Sequence, residues 1–228
     1  MAILFPRQMP LTGFGAGHQF ELQRFDYAAP EDSGRIGGIA GSPAKWIGTW
    51  PLSRAMSVEM SDEWRAWVTS LRGQQKLFLG ADVARRFPRA YGVGFAGLSR
   101  AGGGAFDGAA GSWSQEIDAE GSAVLTLGGL PASFAVKRGD YVGFRWSSGG
   151  RRAIVRATED VTSNSAGSLT VSVEPAVDLR VVPSGATAHF DNPLCLMKLL
   201  TDKTELGGMD RLGRIQGGTI TGMQVMLP

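Results

Sequence analysis

Apolar residues recur along this chain in short runs rich in Val, Ile, Leu, Thr, Tyr and Phe, set apart by clusters of Gly, Ser, Asn, Asp and Pro. That pattern predicts successive antiparallel strands. The densest stretch lies between Val136 and Pro193: Lys137 to Phe144, a basic turn from Gly149 to Arg152, then Ala153 to Glu159, Leu169 to Glu174 and Val181 to Pro193. From Leu169 to Glu174 the alternation is strict. Leu169, Val171 and Val173 point one way, and Thr170, Ser172 and Glu174 the other, as a strand with one buried and one wet face requires. Phe20 and Leu22 alternate with Gln19, Glu21 and Gln23 in the same way, so His18 to Phe25 is predicted as a half-buried strand, with Ala44 to Leu52 and Met56 to Met60 as further short strands. Between the first two, Pro30 to Pro43 is rich in Gly, Ser and Pro and reads as a loop with Arg35 and Ile36 at its tip.

The period changes once. Trp64, Trp67, Val68 and Leu71 fall at helical spacing, Ser61 is placed as the N-cap, Asp62 and Glu63 suit the positive end of the helix dipole, and Gly73 can end the helix in the left-handed conformation. Gln75 to Gly80 then reads as a strand and Asp82 to Arg89 as an irregular basic segment. Residues 92 to 112 are dominated by Gly and Ala, which predicts a linker or mobile loop and a domain boundary inside it. Beyond Pro193 the runs Leu194 to Leu200 and Arg214 to Leu227 are strand-like. The expected organisation is a discontinuous β-domain from residues 1–95 plus 194–228, a Gly-rich linker over 96–111, and an inserted small β-domain over 112–193.

Composition supports a β-rich class. The chain has 228 residues, 43% of them apolar, and its 33 glycines lack any collagen period, so they punctuate strands. With 23 basic and 21 acidic residues the formal net charge is +2, which gives no electrostatic footprint for nucleic acid. Cys195 is the one cysteine, so an intrachain disulfide and a cysteine-built zinc site are both ruled out, and a reducing compartment is expected. Met1 to Pro10 lacks the layout of a signal peptide, and no run approaches the roughly 20 apolar residues of a membrane span; a soluble, non-inserted protein is expected.

Candidate chemistry is thin. His189, Asp191 and Cys195 are a conceivable nucleophilic set, weighed against a buried thiol and a strand-borne imidazole. Asp118 with Glu120, or Glu31 with Asp32, are conceivable carboxylate pairs for glycoside hydrolysis, weighed against solvated loop charges. Gly13-Phe14-Gly15-Ala16-Gly17 lacks the Lys-Ser or Lys-Thr of a phosphate loop, and Arg138-Gly139-Asp140 reads as a turn. Trp113, Trp146 and Tyr141 are the aromatics a saccharide-binding face would use. The basic clusters Arg85, Arg86 and Arg89, and Arg151 with Arg152, are solvated faces or, more interestingly, subunit contacts; together with Arg35 and Ile36 they are the candidate docking residues. No catalytic, cofactor-binding or metal-ligating residue is expected.

Gly139-Asp-Tyr-Val-Gly-Phe144, Arg152-Ala-Ile-Val-Arg-Ala157, the segment Asp160 to Pro175 and Ala188-His-Phe-Asp-Asn-Pro193 together resemble the β-module of tail-tip proteins from long-tailed bacteriophages. Trp50-Pro-Leu52, the helix from Asp62 to Arg72 and Gly73-Gln-Gln-Lys-Leu-Phe-Leu-Gly80 are similar to the frame of the distal tail protein family, with neighbouring minor tail proteins as the near alternative. The resemblance implies a mainly β protein with one short helix: a β-sandwich-like ring-forming domain carrying an inserted β-barrel-like, OB-like domain. It further implies a homo-oligomeric ring, most often hexameric, at the tail tip of a virion, touching the tail tube and tip hub proteins. It implies no enzyme activity. A tip module binding a host saccharide or another tip protein, and a cell-wall hydrolase, are the rival readings.

Overall fold

A computed structural model describes residues 3–30 and 36–226. Its first sheet has strand order β1-β4-β13-β14-β3-β2, built from β1 (Arg7–Gln8), β2 (Gln19–Pro30), β3 (Ile36–Pro51), β4 (Phe78–Gly80), β13 (Cys195–Leu199) and β14 (Thr219–Gln224). The two ends of the chain therefore meet in one sheet, with β13 pairing antiparallel to both β4 and β14. The second sheet, β12-β8-β9-β11-β6-β5, comes from residues 112 to 189: β5 (Ser112–Ile117), β6 (Ala123–Gly128), β8 (Tyr141–Trp146), β9 (Arg151–Ala157), β11 (Leu169–Glu174) and β12 (Thr187–His189). A two-stranded ladder of β7 (Ala135–Val136) and β10 (Val161–Thr162) stands apart. The class is mainly β and β-sandwich-like, with one α-helix, α1 (Val58–Leu71), among the described residues.

One face of the first sheet is covered by α1. Trp64, Trp67 and Leu71 are buried there with Trp50 and Phe78, and the Trp67 and Phe78 rings meet edge to face at 5.1 Å. Each buried indole finds an acceptor, as a buried Trp N–H must: Trp64 Nε1 donates to the Thr12 carbonyl (2.9 Å), Trp67 to Gln8 (2.8 Å) and Trp50 to Ala81 (3.0 Å). Next to α1 the same face receives the back of the β8–β9 hairpin. Trp46 stacks on Phe20 at 5.3 Å, meets Tyr141 at 5.6 Å, and donates Nε1–H to the Ile154 carbonyl across the two sheets. The front of the second sheet holds its own core, including Leu125, Leu127, Phe134, Phe144 and Val171.

Four local expectations are corrected. The helix starts one turn earlier than Ser61: Ser57 is the N-cap, its Oγ accepting Met60 N–H at 3.2 Å, and Met56 to Met60 leads into the helix instead of forming a strand. Ser61 lies inside, buried, where its hydroxyl donates to the Ser57 carbonyl and accepts Ile215 N–H. At the other end Arg72 already takes the left-handed conformation, at φ 51°, before Gly73 at φ 65°. Residues 36 to 43 are strand, not loop, because β2 and β3 continue as a hairpin paired from Gln19↔Thr49 to Pro30↔Ile36.

The glycine-rich stretch is not a linker. Phe95 and Phe106 are buried in the second core, and Arg100 N–H, Phe106 N–H and Gly103 N–H close turns within the segment. The same stretch explains why the second sheet is not a closed barrel: no ladder joins β5 to β12, and Ala109 and Ala110 bridge that gap by pairing with His189 and Ala188.

Candidate functional site

The β2–β3 hairpin extends beyond its sheet. β14 pairs with β3 only from Ile47 to Pro51, so from Gln23 and Lys45 outward the two strands pair with no third strand among the described residues. At the usual rise this arm projects about 25 Å. The register shifts between Gln23 and Phe25 and between Phe25 and Asp26, where bulges bend and twist a ribbon. Opposed across it, Tyr27 and Ile39 are 76% and 75% exposed. Arg24 at the root donates to Glu174 of β11 at 2.8 Å, beside a cleft of about 490 Å³ floored by Ala153 to Val155. Of the candidate docking residues assigned to this segment, Ile36 begins β3 opposite Pro30, and Arg35 lies outside the described residues.

The two arginine clusters sit at opposite ends of the β8–β9 hairpin. Arg85 lies over Gly139, with Nη1 3.9 Å from the Asp140 carboxylate, and Arg86 stacks on Phe87 while its carbonyl accepts Asn192 N–H. Both tie the segment after β4 to the second sheet. Arg151 and Arg152 stand at the other end, where Arg152 is directly opposite Arg145 in the ladder. Neither Arg145, Arg151 nor Arg152 has a carboxylate partner among the described residues. The Nε atoms of Arg145 and Arg152 are buried and unbonded. Burial first, then the Arg145 charge, lowers the Arg152 pKa. Arg145 carried no sequence signal, because the cluster forms only when β8 and β9 pair.

Among the described residues, those weighed for catalysis are held in structural contacts. Cys195 is fully buried in the first core, and burial pushes its thiol pKa up, away from the thiolate. His189 is fully buried too. Its Nδ1–H donates to the Asp191 backbone carbonyl at 2.8 Å, and burial, followed by the Arg145 charge, pushes its pKa down to about 3. Asp191 thus contributes a carbonyl to that bond, not its carboxylate. Asp118 Oδ1 accepts Glu120 N–H and Ser122 N–H, closing the β5–β6 turn; Glu31 and Asp32 lie outside the described residues. Asp140 of the Arg-Gly-Asp tripeptide is 1% exposed and accepts Arg89 N–H and Lys137 N–H. Gly13 sits against Met56 and Trp64 at φ 82°, and no helix opens from Gly13 to Gly17.

The saccharide-face aromatics point inward. Tyr141 is in the first core, Trp113 donates to the Ala186 carbonyl and meets Phe144 edge to face, and Trp146 packs against the second core. One polar constellation went unread in the sequence: Asp82 is bonded by His18 Nε2 at 3.3 Å and by the Tyr141 hydroxyl at 3.2 Å. Burial, and then the Asp82 charge, raises the Tyr141 pKa, so the phenol stays a donor. This His-Asp-Tyr set locks the first sheet to β8. The described residues contain no cluster of three or more His, Cys, Asp or Glu that could hold a metal, and no helix is long and apolar enough to cross a membrane. No family model and no curated protein matches the chain.

Proposed function

We propose that the protein is a structural component of a phage tail tip, a distal tail or neighbouring minor tail protein whose copies form a ring joining the tail tube to the tip. The observation that carries this reading is the arm. A two-stranded ribbon is marginal in water on its own, and this one holds Tyr27 and Ile39 out in solvent. Strand β2 is also an edge of the first sheet over its whole length, with one row of backbone donors and acceptors unpaired by strands. Exposed apolar groups and a free edge gain stability when a neighbour covers them. A head-to-tail contact between identical copies closes as a ring when its rotation divides the circle. The tail tube and tip hub proteins would then sit on the two faces of that ring.

Negative-stain electron microscopy of the purified protein tests this, with a variant in which residues 25 to 42 are replaced by an Asn-Gly turn. Rings are expected for the wild type, and monomers with a near-unchanged melting temperature for the shortened variant. A wild-type monomer at the highest soluble concentration, with no ring of this protein in tails, overturns the reading.

A further inference from the structure

The β8–β9 hairpin ends in a concentration of positive charge that the chain does not neutralise. Arg145 and Arg152 face each other, Arg151 follows opposite Trp146, and Lys76 shares a pocket with Arg151, Ser147 and Gly150. Like charges directly opposite in a ladder destabilise it, and an arginine Nε without an acceptor costs more when it is buried. Among the described residues no carboxylate lies within ion-pair distance of any of these four cations.

Lys76 also fixes where this patch lies. Its N–H donates to the Leu71 carbonyl, so the cationic tip sits at the C-terminal end of α1. The N-terminal end carries the opposite charge: Glu59, Asp62 and Glu63 are all exposed, and none is in an ion pair among the described residues. Glu59 is engaged by the helix terminus and Ser57, which lowers its pKa; among the described residues Asp62 and Glu63 are in no salt bridge. Along the helix axis Glu59 lies about 18 Å, and Asp62 and Glu63 about 12–14 Å, from Leu71, whose carbonyl Lys76 bonds. Sites that far apart on one rigid element cannot satisfy each other within a copy, but they meet between copies stacked head to tail.

We propose that the cationic tip of the β8–β9 hairpin in one copy seats against the acidic first turns of α1 in the next copy, as part of the contact that closes the ring. This rests on the ring reading above and names its charged contact. The occupant is a second copy because the complementary charges are on this chain, at the far end of the element that carries Lys76. In such an interface the partly exposed guanidinium groups of Arg145, Arg151 and Arg152 gain carboxylates opposite them, and like-charge contacts reject a reversed or misregistered neighbour.

Light scattering coupled to size exclusion tests the contact on the full chain. The wild type is expected to assemble, with its midpoint concentration rising at least about tenfold between low and high salt. The double variants Arg145→Glu with Arg152→Glu, and Asp62→Lys with Glu63→Lys, are each expected to remain monomeric. Mixed one to one they should co-assemble, because every junction again pairs opposite charges. Should reversal at half-buried Arg145 unfold the chain, Lys76→Glu with Arg151→Glu carries the same mixing test. If wild type assembles and either double variant assembles equally well, or the folded variants fail to rescue each other, this contact is wrong while the ring stands. A wild type that never assembles removes the ring and the contact together.

Discussion

His189 shows how a residue that looks catalytic in the sequence takes its properties from its surroundings. It has no exposed surface, one ring nitrogen bonded to the Asp191 carbonyl and the other, Nε2, without a partner. With its pKa pushed from 6.5 down to about 3, the native state holds it neutral while the unfolded chain takes up a proton below pH 6.5. The unfolded state then binds more protons, so stability is present in full above pH 6.5 and drains away as the pH falls towards 3. Between pH 7 and pH 5 the loss amounts to about 2 kcal/mol. Urea unfolding at the two pH values should show that loss in the wild type and little of it in His189→Gln, whose amide can still donate to the carbonyl. Equal slopes in the two proteins would sink the assignment. The environment of His189 was not legible in the sequence, because the arginines that oppose its charge come from β8 and β9.

At the scale of elements, legibility followed burial. The alternation in β11 and in the first half of β2 was plain because one face of each is covered by a core: Leu169, Val171 and Val173 are buried, as is Phe20. In the outer part of the arm Phe25 to Ala29 are all exposed, so Asp26 to Ala29 carries no period and was assigned to no element, while Ile36 to Ser42 fell in the stretch from Pro30 to Pro43 that reads as loop. The helix was visible from its tryptophans, and its start was misplaced for a physical reason. Ser57 and Ser61 are one turn apart, and either hydroxyl fits the N-cap pattern. Their bonds separate them by mutation. Ser57→Ala removes the acceptor of Met60 N–H and should cost about 1 kcal/mol. Ser61→Ala leaves the Ile215 N–H buried without its acceptor and should cost more, about 1–3 kcal/mol. Denaturant midpoints would reveal the order, and a neutral Ser57→Ala would return the cap to Ser61.

The whole molecule joins two sheets through a shared boundary, and its position differs from a cut placed at residue 112. Ahead of β5, Phe87, Tyr91, Phe95 and Phe106 all pack on the second core. Tyr91 stacks on Phe134 at 4.6 Å and its hydroxyl accepts Ala135 N–H, while Phe95 meets both Phe106 and Phe134. Glycines in this segment take positive φ at 94, 97, 103, 104 and 108, which lets a short chain fold back and place those rings. Composition suggested entropy and mobility; two buried phenylalanines outweigh that, since each buried aromatic contributes about 1.5–3 kcal/mol. Those two rings, with half-buried Phe87 and Tyr91 packed beside them, amount to a large part of the 5–15 kcal/mol, roughly, that holds a small domain together. A fragment of residues 86–193 is therefore expected to unfold cooperatively on heating, and one of residues 112–193 to bind hydrophobic dyes and melt without a sharp transition. The back of the β8–β9 hairpin is uncovered equally in both, so it cannot produce the difference. Equal cooperativity in the two fragments would mean that the aromatic segment only decorates the second core, and that the boundary belongs at residue 112 after all.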